Sequence, residues 1–458
     1  MNHTRRILCL LLTLLLLPVL PASAQLAHDR AEKLHALSLQ LLEHIREGQE
    51  DEALTMMDEA TAAALKGQVT ALWQQLAQSG GDYLGDGYYR GVLANGYETL
   101  EMTLSFSSLS LIQRTSFDAQ DRVIGLFFAP GAVTPPEFMP EAVQEVPLTV
   151  DAGTGYPLSG LLTTPKEGPI LAGLVLVQGS GPSDRDEAVA ANAPFRDLAW
   201  GLAGQGIAVL RYDKRTYTYG TRMAQEPDFA RLTAREEVVE DAVAALNLLK
   251  GQQELADKPV YLLGHSLGAM LAAYIGQQGG DPAGYVLLGG TPRKLWEVSA
   301  EQNLAVAQEL EKAGETAKAQ EIRAFVDAEV QKGKALADLT DEQALTVTVM
   351  GLGAWYLRHL QGVDAAALHL EDGKPVLVLH GESDRQVTME DYALWQERLK
   401  GHPDAVFIAY PGLNHLFGAY QGEPVPFSQL VSVEYAQRTP IPRQVMDDIA
   451  GWIAKHAQ

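Results

Sequence analysis

Three residues of this chain have the types that acyl transfer needs. Ser266 stands in "LLGHSLGAML", Asp384 in "VLVLHGESDRQV" and His415 in "FIAYPGLNHLF". A serine hydroxyl alone is a poor nucleophile: it needs a base, and the base needs an orienting carboxylate. His415 is the candidate base and Asp384 the candidate orienter. Attack on a carbonyl also builds an oxyanion, which calls for two backbone N–H donors. Leu267, the residue after the serine, is one. The other is expected in "VQGSGPSDRDE", where Ser180 is the first choice and Gly179 the second. A glycine-rich turn can also cradle phosphate, but the Lys-Ser/Thr pair of a phosphate loop does not follow.

The bare Gly-x-Ser-x-Gly pattern of residues 264–268 is weak, arising by chance in about one chain of this composition in eight. Its context is stronger. It follows the strand-like "PVYLL" and opens the helix-like "AMLAAYIGQQ". So tight a reversal leaves no room for Cβ atoms two residues to either side of the serine. The helix start also aims its free amides at the serine. Rival partners are weaker. Glu382 is nearer the strand end than Asp384. His380 lies within the strand end, His402 precedes the last strand at the opposite edge, and His265 adjoins the serine on a turn.

The elements that must carry these residues begin near residue 148. Apolar runs "LAGLVLVQ", "GIAVLRY", "PVYLLG", "GYVLLGG", "KPVLVLHG" and "AVFIAYPG" alternate with helical segments such as "AREEVVEDAVAALNLLKG". Near-continuous apolar strands suit a parallel sheet buried on both faces, hence a doubly wound α/β domain. Catalytic groups of such sheets gather at the carboxyl edge, where Ser266, Asp384 and His415 all fall. The connection from Gly290 to Lys374 is too long for one crossover and reads as a helical cap at about 291–370. Upstream, residues 25–129 read as a small α+β unit. Leu34, Leu37, Leu41, Leu42 and Ile45 keep a helical period, "DEALTMMDEATAAAL" and "KGQVTALWQQLAQ" continue as helices, and residues 88–129 alternate like strands about a "DAQD" turn. Residues 130–147 hold five prolines and read as a linker.

The first 24 residues have the form of a secretory signal. Arg5 and Arg6 precede an apolar run, and Ala22-Ser23-Ala24 offers a cleavage site after Ala24. This predicts a secreted or periplasmic protein with no membrane span once the signal is removed. The only cysteine, Cys9, lies in the leader, so the mature chain has no disulfide or thiol chemistry. Net charge is −23, and losing Arg5 and Arg6 takes it to −25. Such acidity disfavours nucleic acid as a partner. Nothing in the sequence sets the oligomeric state.

Together "VQGSGPSDRDE", "FRDLAWGLAGQGIAVLRYDKRTYTYG", "LLGHSLGAML", "LHGESDRQV" and "GLNHLF" resemble the α/β-hydrolase superfamily, in its bacterial carboxylesterase and serine-aminopeptidase-like branch. The resemblance spans roughly residues 145–458. It implies the α/β-hydrolase fold, a mostly parallel doubly wound sheet with a helical cap, here preceded by the small α+β domain. It makes Ser266 the nucleophile, His415 the general base and Asp384 its orienter, with Ser180 and Leu267 as the oxyanion amides. The implied substrate is a small ester, and neither metal nor organic cofactor is required. An exopeptidase or amidase activity is the alternative, and a binding protein on an inactive hydrolase fold the third. Two departures stand out. Gln178 replaces a histidine common before the oxyanion-loop glycine, and "RYDKRTYTYG" replaces an Arg-Gly-x-Gly-x-Ser run. Tyr217 and Tyr219 therefore either line the substrate pocket or lie on the loop surface. Asp184, Arg185 and Asp186 either bind a polar substrate end or, as the simpler reading, tie the loop down by salt bridges.

Overall fold

A computed structural model of the chain describes residues 24–26, 28–94, 97–107, 109–131 and 139–457. The predicted leader, up to its last residue, and residues 132–138 of the predicted linker lie outside that range. Among the described residues no helix is long and apolar enough to cross a membrane.

The N-terminal unit packs four helices on a five-stranded antiparallel sheet. The helices are α1 (His28–Arg46), α2 (Glu50–Thr55), α3 (Glu59–Leu65) and α4 (Val69–Gly80). The strands are β1 (Ala24–Gln25), β2 (Tyr83–Ala94), β3 (Tyr97–Phe106), β4 (Ser110–Phe117) and β5 (Val123–Pro130), hydrogen-bonded in that order. Leu34, Leu41, Leu42 and Ile45 form the apolar stripe of α1 and pack on Leu100, Met102 and Leu104 of β3. The second predicted helix is divided at Asp58, whose carboxylate accepts from the Thr61 N–H (2.9 Å) and caps α3. Strand β2 also starts five residues before the composition change at 88. There β2 absorbs the glycine-rich "YLGDG" through register shifts at Tyr83–Gly85 and Asp86–Tyr89. "DAQD" is the β4–β5 turn, with the Asp118 carboxylate accepting from the Gln120 and Arg122 amides.

The second domain begins with β6 (Val143–Val150), β7 (Leu158–Pro165) and β8 (Ala172–Val177). Strand β6 starts inside the predicted linker. Pro147 does not prevent this, because β6 is an edge strand and a missing N–H is tolerated there. Then follow α5 (Pro194–Ala203), β9 (Ile207–Tyr212), α6 (Arg215–Met223), α7 (Glu240–Lys250), β10 (Val260–His265), α8 (Leu267–Ile275) and β11 (Tyr285–Leu288). The cap follows as α9 (Leu295–Lys312), α10 (Thr316–Lys334), α11 (Asp341–Ala344), a short hairpin β12 (Thr348–Val349) and β13 (Leu352–Gly353), and α12 (Ala354–Leu360). The chain returns through α13 (Ala365–Asp372), β14 (Val376–Gly381), α14 (Met389–Arg398), β15 (Ala405–Tyr410) and α15 (Arg443–His456).

The eight strands lie in the order β15-β14-β11-β10-β8-β9-β7-β6, six of them parallel and the β7 and β6 pairings antiparallel. Leu174, Leu176, Leu263 and Leu377 face α5 and α15. Val175, Val177, Leu262 and Val378 face the opposite layer, α7, α8, α13 and α14. Both faces are buried, which explains the continuous apolar runs. The cap has its own core, including Trp296, Ile322, Val326, Leu336 and Leu357. Because the six parallel strands share one direction, the loops after β8, β9, β10, β11, β14 and β15 meet along a single edge.

Candidate active site

Ser266 occupies the one-residue joint between β10 and α8, with φ 52° and ψ −113°. A non-glycine residue holds such a conformation only under constraint from its surroundings. The flanking glycines supply it. A Cβ on Gly264 would overlap the Gly268 carbonyl, and one on Gly268 would overlap the Val177 carbonyl of β8. The Ser266 N–H is anchored to the Leu288 carbonyl at 2.9 Å. Leu267 is the first residue of α8, so its amide has no intrahelical acceptor.

Asp384 and His415 leave the ends of β14 and β15 and meet. His415 Nδ1 donates to Asp384 Oδ2 at 2.6 Å, and both side chains are buried. The other carboxylate oxygen accepts from the Gln386 and Val387 amides at 2.8 and 2.9 Å. Burial pushes the Asp384 carboxyl up, but His415, His380 and the Val387 amide outweigh it and hold the group below its ordinary range. An ionised carboxylate only accepts, so the His415 proton sits on Nδ1 and Nε2 is left as the basic nitrogen. The histidine turn is braced by Asn414, whose Oδ1 accepts from the Leu416 and Gly418 amides and whose Nδ2 donates to Glu434 at 2.7 Å. Strand β5 of the N-terminal unit lies against the Leu430–Glu434 turn that carries Glu434.

Among the described residues no hydrogen bond joins Ser266 Oγ to His415; such contacts often tighten only with substrate in place. The two are nevertheless neighbours. His265 Nε2 donates to the His415 carbonyl (2.9 Å), and the two rings are 4.7 Å apart. A Cβ on Gly289 would lie 3.4 Å from His415 Nδ1 and 3.5 Å from Asp384 Oδ2, while one on Gly290 would lie 3.6 Å from the Ser266 carbonyl.

The loop after β8 lies beside the serine, a Cβ on Gly179 falling 3.1 Å from Ser266 Cβ. The Gly179 N–H is engaged, donating to Glu187 Oε1 at 2.6 Å. Ser180, the next residue of the loop, is exposed. Glu187 Oε2 also pairs with His265 Nδ1 at 2.9 Å, linking the loop to the residue before the serine. Burial alone would lower the His265 pKa, but Glu187 outweighs it and the net shift is upward. Lys214 reaches the loop from the end of β9. The sequence singled out neither Glu187 nor Lys214: both lie inside segments that carry the family resemblance, but their partners Gly179, His265, Gly181 and Glu237 are not adjacent in the chain.

The charged run is a set of internal ties. Arg185 makes a bidentate pair with Asp213 (2.9 and 2.7 Å), Arg211 holds Asp186 at 2.7 Å, and Asp184 accepts from the Asp186 and Ala188 amides. Burial pushes the Asp184 carboxyl up to about 6. "RYDKRTYTYG" runs from the end of β9 into the first turns of α6 rather than forming a loop, since Arg215 is buried against both oxygens of Asp241. Tyr219 is taken up by the β6–β7 turn, donating to the Pro157 carbonyl at 2.7 Å and packing edge-on against Tyr156. Tyr217 is half-buried, and burial together with Asp184 and Asp213 pushes its hydroxyl up to about 12. Of the rivals, Glu382 is exposed, His380 Nε2 donates to the Val387 carbonyl, and His402 to that of His369.

Residues 192–418 match the family model described as serine aminopeptidase, S33. The chain is 31% identical over 419 residues to Esterase EstD of Thermotoga maritima, covering 90% of this chain and 94% of that protein. Among solved structures it is similar to Est1E from Butyrivibrio proteoclasticus, with 15% identity and a TM-score of 0.42 over 68% of this chain and 98% of that one. It is similar also to the Pyrococcus furiosus esterase Pf2001, with 14% identity and a TM-score of 0.40 over 71% and 98%.

Proposed function

The chain belongs to the serine aminopeptidase S33 family of α/β hydrolases and is a carboxylesterase-like hydrolase; from that premise we propose that it is an exported serine esterase acting on short-to-medium-chain esters. The observation that carries the reading is the buried Asp384–His415 pair, set on the same sheet edge as the strained Ser266. In this reading His415 takes the Ser266 proton as Oγ attacks the carbonyl. The oxyanion rests on the Leu267 and Ser180 amides. The alcohol leaves with the proton from His415, and water repeats the sequence to free the acid.

Two measurements test it. A fluorophosphonate probe should label the folded protein at Ser266, and absence of that adduct would overturn the nucleophile assignment. A panel of nitrophenyl acyl esters should be turned over with higher kcat/KM than aminoacyl anilides. The reverse order would favour aminopeptidase action, the alternative that the family description raises.

A further inference from the structure

Lys214 stands just beyond β9 with its side chain buried. Its ammonium donates to the Gly179 carbonyl (2.8 Å) and the Gly181 carbonyl (3.0 Å) and pairs with Glu237 Oε1 (2.9 Å). All three ammonium protons are thereby used. Two of them grip the turn that holds Ser180. We infer that Lys214 is a positioning residue for the oxyanion hole, fixing and polarising the peptide whose N–H is the Ser180 donor.

The argument rests on peptide geometry. The Gly179 carbonyl and the Ser180 N–H belong to one planar trans unit and point in opposite directions. A cation clamped on the oxygen therefore fixes the direction of the N–H. It also draws electron density toward the oxygen, which strengthens the N–H as a donor. Glu187 fixes the preceding peptide from the other side by accepting the Gly179 N–H. Stability alone explains the arrangement poorly, because a buried ion pair is often matched or bettered by apolar side chains of the same volume. The anchor also reaches the cap. Glu237 emerges from a π-turn, Arg235–Val239, at the start of α7, and accepts from the Tyr356 hydroxyl of α12. Such turns recur at functional sites.

This inference rests on Ser266 being the nucleophile, and the test separates the two. Lys214→Met keeps most of the unbranched side chain and removes the ammonium group with its charge. Its kcat for nitrophenyl acetate should fall roughly 10–100-fold, somewhat less than for removal of an oxyanion donor itself. KM should stay within about threefold, because the interaction is made in the transition state. Affinity for phenylboronic acid, which forms a tetrahedral adduct on the serine, should fall in step with kcat. A folded Lys214→Met with wild-type kcat, or with reduced kcat but unchanged boronate affinity, overturns the inference. Should that variant not fold, Lys214→Gln keeps a donor without the charge and decides the matter. It should weaken boronate binding roughly 3–10-fold, the effect of losing charge assistance from a hydrogen bond, and wild-type affinity there is likewise fatal. If the wild-type protein itself forms no Ser266 adduct, it is the nucleophile assignment that fails.

Discussion

At the scale of the residue, Ser266 carries its conformation at a cost. Its φ of 52° with ψ −113° suits glycine and strains any residue with a Cβ. Substitution therefore separates chemistry from backbone strain. Ser266→Ala and Ser266→Gly both lack Oγ and should both lose esterase turnover. Ser266→Gly should be the more stable by about 1 kcal/mol, the relief of strain less the entropy of glycine, measured as a difference in urea midpoint. Equal midpoints, or a more stable alanine variant, would remove strain from the account. The same scale shows what the sequence could disclose. Ser266, Asp384 and His415 stand out as candidates because each sits in a short motif just past a strand and the chain order expected of a triad constrains them. Glu187 and Lys214 do not, because their meaning lies in partners. Glu187 acts on the Gly179 N–H and on His265, remote in the chain, and Lys214 on two backbone carbonyl oxygens and the remote Glu237.

At the scale of elements, the site depends on how closely α8 is pressed to β8. Gly268 is the contact, and a methyl group there would overlap the Val177 carbonyl. Gly268→Ala should cost about 3 kcal/mol or more, since neither backbone can yield without moving a strand. Gly220→Ala is the matched control. Gly220 lies inside α6 with nothing within 4 Å of a Cβ, so alanine should add roughly 0.5–1 kcal/mol by helix propensity. Chemical denaturation of the two variants tests the contrast, and similar shifts would contradict it. Elements were legible wherever local patterning and tertiary burial agree, as in the six parallel strands. They were less so where a partner overrides composition. β6 forms across Pro147 because β7 pairs with it, β2 forms across "YLGDG" because β3 does, and α6 is pinned by Arg215 on Asp241.

At the scale of the molecule, burial makes acid the vulnerable side. His369 on α13 is fully buried against the edges of Tyr285 and Trp395. Burial, with His402 adding to it, pushes its pKa down to about 3. The folded protein thus keeps this ring neutral while the unfolded chain protonates it below about pH 6.5. Its contribution to stability is full above pH 6.5 and is lost as pH falls toward 3, at about 1.4 kcal/mol per unit. Roughly 2 kcal/mol should be gone at pH 5 by that relation. In urea titrations at pH 7 and pH 5, His369→Leu should lose less stability than wild type by about that amount; an equal loss would acquit His369. The sheet order carries a different consequence. The cap leaves after Leu288 and the chain rejoins the sheet at Val376, and β11 and β14 are hydrogen-bonded neighbours, Leu288 opposite Leu379. An excursion whose ends are already held one strand spacing apart, about 4.8 Å, can change length at little cost, because closure entropy grows only with the logarithm of length. A laboratory graft that replaces one excursion by another between β11 and β14 should therefore leave the edge that carries Ser266, Asp384 and His415 in place.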